Sequence, residues 1–216
     1  MSGSKSQGNR AARTRAGTCA ALGFRAHSGW AALVVVAGTP REPVAVHRRR
    51  VIIADPAIPG SKQPFHAAEG WPLAKTEEYL NRCIGRTKLM ARDAVSTLIA
   101  SLQESGHSVR GCGILGASGR PLPDIAATLA SHALIHTAEG ELFRNALIAA
   151  GEDCRLPVTR VKEKELFALA SEALRTPAEK LQRRITELGK PLGSPWTQDE
   201  KLATLVAWMV LAAGQR

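Results

Sequence analysis

Paired cysteines are missing from this chain. Its four cysteines, Cys19, Cys83, Cys112 and Cys154, stand singly. No C-x-x-C occurs, which argues against a zinc ribbon, and Cys19 and Cys112 read as small hydrophobes in a reducing compartment. Long apolar runs are missing too. None reaches the about 18 residues a membrane helix needs. Aromatic residues make up only 4% of the chain, which is low for a protein that stacks single-stranded bases. Acids are in deficit, 19 against 29 lysines and arginines. The first residues, MSGSKSQGNRAARTRAG, hold Lys5, Arg10, Arg13 and Arg15 but no acid and no apolar core. The pattern is not the one expected of a secretory signal. The expectation is a disordered basic tail over 1–18, a single domain over 19–216 and a cytoplasmic location.

What is present is charge. A formal net charge of +10 over 216 residues points to an acidic partner, nucleic acid before an anionic membrane. The chain is long enough to bury a core without staples.

The apolar patterning then gives an order of elements. Cys19–Arg25 and Trp30–Ala37 read as strands joined by a turn at His27-Ser28-Gly29. Val44–Ala54 reads as a third strand, interrupted by His47-Arg48-Arg49-Arg50. Three successive arginines alternate faces on a strand, which requires a bulge or an edge position. A Pro- and Gly-rich loop runs from Asp55 to Pro72 and holds Phe65, His66 and Glu69. A long helix follows, with Thr76 as candidate N-cap and a basic face of Arg82, Arg86, Lys88 and Arg92. Val109–Leu115 is a fourth strand, followed by Gly116, Gly119 and Arg120. Pro123–Ala150 is helical, in two pieces broken near Thr137 or Gly140. Leu156–Val161 is a fifth strand, followed by helices over 162–174, 177–188 and from Thr197 onward. The last of these is apolar nearly all round, which argues burial.

Three antiparallel strands followed by parallel crossovers imply an α/β domain with a mixed five-stranded sheet and helices on both faces. That order resembles the ribonuclease-H-like superfamily, and within it the Holliday-junction resolvases. Two stretches support the resemblance: Glu141–Leu174 (ELFRNALIAAGEDCRLPVTRVKEKELFALASEAL) and Gln198–Leu211 (QDEKLATLVAWMVL). The resemblance implies acids at the end of the first strand, at the fourth strand and on the last helix, holding Mg²⁺ or Mn²⁺ for phosphodiester cleavage. Here the first position is Arg25, the fourth strand ends without an acid, and only Asp199 and Glu200 stand on the last helix.

Three functional classes follow. The first is a protein that engages nucleic acid through its backbone, with a divergent nuclease as its catalytic form. Arg25, Arg48, Arg49, Arg50 and Arg120 would face phosphate, and His27, Ser28, Asp199 and Glu200 would form the reactive group. Within that group, Thr197-Gln198-Asp199-Glu200 also fits a capping box, which gives Glu200 a structural role. The second is an inactive member of the fold that binds protein. The third is a small metal-dependent hydrolase using His132, His136 and Glu139, which share one face if a single helix carries them. In the alternative, Thr137 caps a new helix and Glu139 lies in its first turn.

Overall fold

The computed structural model describes residues 17–116 and 121–214. The expectations for the basic N-terminal segment and for Arg120 fall outside them. The elements are β1 (Thr18–His27), β2 (Trp30–Gly38), β3 (Pro43–Ile52), α1 (Pro64–Ala67), α2 (Leu73–Glu104), β4 (His107–Gly116), α3 (Ile125–Leu129), α4 (His132–Asp153), β5 (Val158–Lys162), α5 (Leu166–Leu174), α6 (Ala178–Leu188) and α7 (Gln198–Ala213). The sheet order is β3-β2-β1-β4-β5. β1–β2 and β2–β3 are antiparallel, and β1–β4 and β4–β5 are parallel. This is the mixed five-stranded α/β sheet that the patterning implies.

The period-2 alternation of the strands divides the core between two faces. On one face Leu22, Phe24, Leu33, Val35 and Ile114 pack with Leu80 and Val95 of α2 and with Ile135, Phe143 and Leu147 of α4. On the other, Ala21, Val34, Val36 and Leu115 pack with Leu166, Leu181 and Ile185 and with α7. Leu202, Leu205, Val206 and Leu211 of α7 are buried, each contributing roughly 1.5–3 kcal/mol. Cys83 and Cys112 are buried, whereas Cys19 is only half-buried and accepts from Arg110 Nε at 3.3 Å.

The approach of α7 to the sheet positions the candidate site. A Cβ on Gly23 would stand 1.9 Å from the Ala203 carbonyl oxygen, and one on Gly113 would stand 2.5 Å from Val206 Cγ2. Only glycine lets the helix lie this close to β1 and β4. Asp199 is one helical turn before Ala203, and Arg25 is two residues beyond Gly23 on the same face of β1. The same packing that seats α7 therefore brings Asp199 over Arg25.

Two expectations about local structure need correction, and the one for the arginine run is met. α2 begins at Leu73, and Thr76 is buried inside it rather than capping it. Pro72 just before the helix supplies the start instead. α4 runs unbroken from His132 through Thr137 and Gly140. The Thr137 hydroxyl donates to the Ala133 carbonyl at 2.9 Å, a bond made within the helix. The arginine run lies on an edge strand, with a register shift between Val35 and Val36 opposite residues 45–47. Arg48 and Arg50 thereby face α7 while Arg49 faces away.

Candidate functional site

The carboxyl ends of β1 and β5 and the start of α7 meet around one guanidinium. Arg25 donates from Nε and Nη2 to the two carboxylate oxygens of Glu163, both at 3.0 Å, and from Nη1 to Asp199 Oδ1. The Glu163 contact is bidentate, the strongest geometry for this pair. His27 Nε2 lies 3.0 Å from the same Asp199 oxygen. The Arg25 side chain is 23% exposed and that of Asp199 20%.

These neighbours shift the titration of the group. Hydrogen bonding to Glu163 raises the Arg25 pKa first, partial burial opposes it, and Asp199 adds to the rise. Burial pushes the Asp199 carboxyl up, but hydrogen bonds and charge from Arg25 and His27 outweigh it. The result lies below the usual aspartate range.

An aromatic stack adjoins the ion cluster. The His27 ring lies 4.3 Å from that of Trp30 with 13° between their planes, and the Arg50 guanidinium is 3.7 Å from the Trp30 ring centre. Arg25, Ala32 and Arg50 are register partners across β1, β2 and β3. Arg25 and Arg50 therefore stand on one face, about 10 Å apart at two strand spacings. Arg48 is held elsewhere, donating to the carbonyls of Leu192 and Ser194 at 3.4 and 3.1 Å. Arg49 is exposed, and Ser28 is exposed at the turn. Glu200 is occupied at its own helix start. Its Oε2 accepts from Thr197 N at 2.8 Å, completing a capping box. The structure therefore separates Glu200, in its capping role, from Arg25, His27 and Asp199, which it brings together.

Glu163 is a member that sequence reasoning missed. The available signal was an acid directly after a strand in a mixed-charge run, KEKE, where nothing marks one acid over another.

The residues present do not fit a pair of divalent metal ions. The first-strand position holds Arg25, whose guanidinium already lies between Asp199 and Glu163. Its register partner on β4 is Leu115, which is buried and apolar. A fixed cation stands where carboxylates would need to hold a mobile one.

A second cluster lies on the opposite face of the sheet, at the same end. His132 and His136, in the first turns of α4, have Nε2 atoms 3.0 Å apart. His66 of α1 joins them, its ring centre 4.7 Å from that of His136. Glu139 is 2% exposed and turns to His66, accepting from Nδ1 at 2.8 Å and from the backbone N–H at 3.2 Å. Glu139 therefore backs His66 rather than entering the cluster beside His132 and His136. Sequence reasoning did not join His66 to this cluster, because it lies in a loop remote along the chain.

No family model matches the chain, and no curated protein matches it in sequence. Solved structures do match in shape. RuvC of Thermus thermophilus in complex with a Holliday junction substrate aligns with TM-score 0.52 at 10% identity, over 88% of this chain and 91% of that one. A further structure of Thermus thermophilus RuvC aligns with TM-score 0.51 at 10% identity, over 91% and 96%. The chain thus has the ribonuclease-H-like fold, in the arrangement seen in these RuvC structures.

Proposed function

We propose that this protein engages nucleic acid through the phosphate backbone and does not cut it by two-metal chemistry. The observation that carries the reading is the Arg25 guanidinium held between Glu163 and Asp199. A centre of this kind supplies its own cation, which removes the reason for carboxylates to bind Mg²⁺ or Mn²⁺. The net charge of +10 favours a polyanionic partner. Arg25 is neutralised by its two acids and is not the phosphate contact. Arg50 is exposed and pairs with an aromatic ring rather than a carboxylate. It is assigned to phosphate, and Arg25, His27 and Asp199 to shaping the surface next to it; Arg49, on the other face of the sheet, is not part of that surface.

Fluorescence anisotropy with labelled branched DNA in EDTA tests this. Affinity is expected to fall steeply as salt rises, and Arg50→Ala should lower the salt slope by about 1. Absent binding, or binding insensitive to salt, overturns the reading.

A protein-binding role is the second reading. It is favoured by edge strand β3, where Val44 and Ile52 are each 50% exposed. An open edge of this type accepts an added strand. Val44→Lys with Ile52→Lys should abolish self-association or partner capture while leaving DNA binding intact. Retained association in that variant removes this reading.

A further inference from the structure

The cluster on the α4 face has the composition and spacing of a metal site. One imidazole nitrogen from each of His66, His132 and His136 lies within 4.8 Å of the other two. His132 and His136 are four apart at the start of α4, so both rings project from one face of its first turns. Their Nε2 atoms are 3.0 Å apart. Two nitrogen ligands of a tetrahedral ion at about 2.0–2.1 Å stand about 3.3 Å from each other. The pair already has nearly the edge length of such a site.

The third histidine is prepared from behind. His66 gives its Nδ1 to Glu139 at 2.8 Å, which leaves Nε2 as the nitrogen free for a ligand bond. A carboxylate on the far nitrogen of a metal-bound imidazole fixes its tautomer and orientation and raises its basicity. The same Glu139 oxygen also accepts the His66 backbone N–H at 3.2 Å, so the ring and its peptide are held together. A glutamate only 2% exposed is costly to bury without opposite charge. An imidazole carrying a divalent cation answers that need.

We propose that His66, His132 and His136 bind one zinc-class divalent ion through nitrogen, with Glu139 positioning His66. Three neutral imidazoles select Zn²⁺ and its first-row neighbours over Mg²⁺ or Ca²⁺, which require oxygen. His132 and His136 are solvent-exposed, so the fourth position faces water. The ion pins the loop carrying α1 to the start of α4. That loop also covers the β1–β2 turn, where Lys62 Cγ would stand 3.0 Å from a Cβ on Gly29. The site thus braces the turn that bears His27 and Ser28 from the face opposite Asp199. This inference stands independently of nucleic-acid binding.

The test uses full-length protein, stripped with chelator and titrated with Zn²⁺ and with Co²⁺ as a spectroscopic probe. Wild type should take up about one ion per chain, unfold at higher temperature with Zn²⁺ than without, and give the intense visible bands of tetrahedral Co²⁺. Glu139→Gln should weaken uptake about 10- to 100-fold. His132→Ala with His136→Ala removes two exposed side chains, so the variant should keep its fold by circular dichroism and lose both uptake and the Co²⁺ bands. Absent uptake by wild type overturns the proposal. Undiminished uptake by the double variant also overturns it, since the ion would then sit elsewhere.

Discussion

Arg25 determines what the centre of this protein is able to do. It reaches two carboxylates from different elements, Glu163 after β5 and Asp199 on α7. Arg25→Asp should convert an internally neutralised cluster into one that needs a cation. Its unfolding temperature is expected to rise with millimolar Mg²⁺ while that of wild type stays unchanged. Equal responses would mean that Arg25 does not substitute for metal. The Asp199 carboxyl is held below its ordinary value by Arg25 and His27, against the opposing effect of burial. A depressed folded-state pKa stabilises above the unfolded value of about 3.9 and is lost as pH falls through the folded value. Asp199→Asn should therefore flatten the acid limb of stability below about pH 4, read by thermal unfolding across pH. An unchanged acid limb would contradict the pairing. At this scale the sequence displays the oddity of Arg25 in GFRAHSG and, through the resemblance of the last helix, Asp199, but not Glu163. Glu163 is remote along the chain and looks like other surface acids. The same holds for His66, which only the closure of a loop brings to His132 and His136.

The contact between α7 and β1 carries the geometry of the site. Gly23→Ala would place a methyl 1.9 Å from the Ala203 carbonyl oxygen. Backbone on both sides cannot yield cheaply, so the substitution should cost about 1–3 kcal/mol or more. It should also tilt α7 and loosen Asp199 from Arg25. Chemical denaturation measures the loss, and a change below about 0.5 kcal/mol would show that the site does not depend on this approach. Strand order and the buried final helix were legible because alternation and all-round apolarity are strong signals. Helix starts were less so. A threonine with acids after it suggested a cap at Thr76, but packing buried that threonine inside α2. Thr137 looked like a break for the same reason, yet its hydroxyl is satisfied within α4. The capping box at Thr197 and Glu200 was legible because both of its bonds are local.

Taken as a whole, the molecule joins a ribonuclease-H-like sheet to a surplus of positive charge. Charge and fold together favour a polyanion at the carboxyl ends of β1 and β3, where Arg50 and Trp30 stand beside the ion cluster. On the proposed reading, a guanidinium at the end of β1 where carboxylates would hold a metal separates binding from cutting. The most direct measurement incubates labelled four-way DNA with excess protein in Mn²⁺ at low salt and follows both retardation and fragment length. Wild-type protein is predicted to retard the DNA and leave every strand intact, with the same affinity in EDTA. Mn²⁺-dependent cleavage that disappears in Asp199→Asn would contradict it.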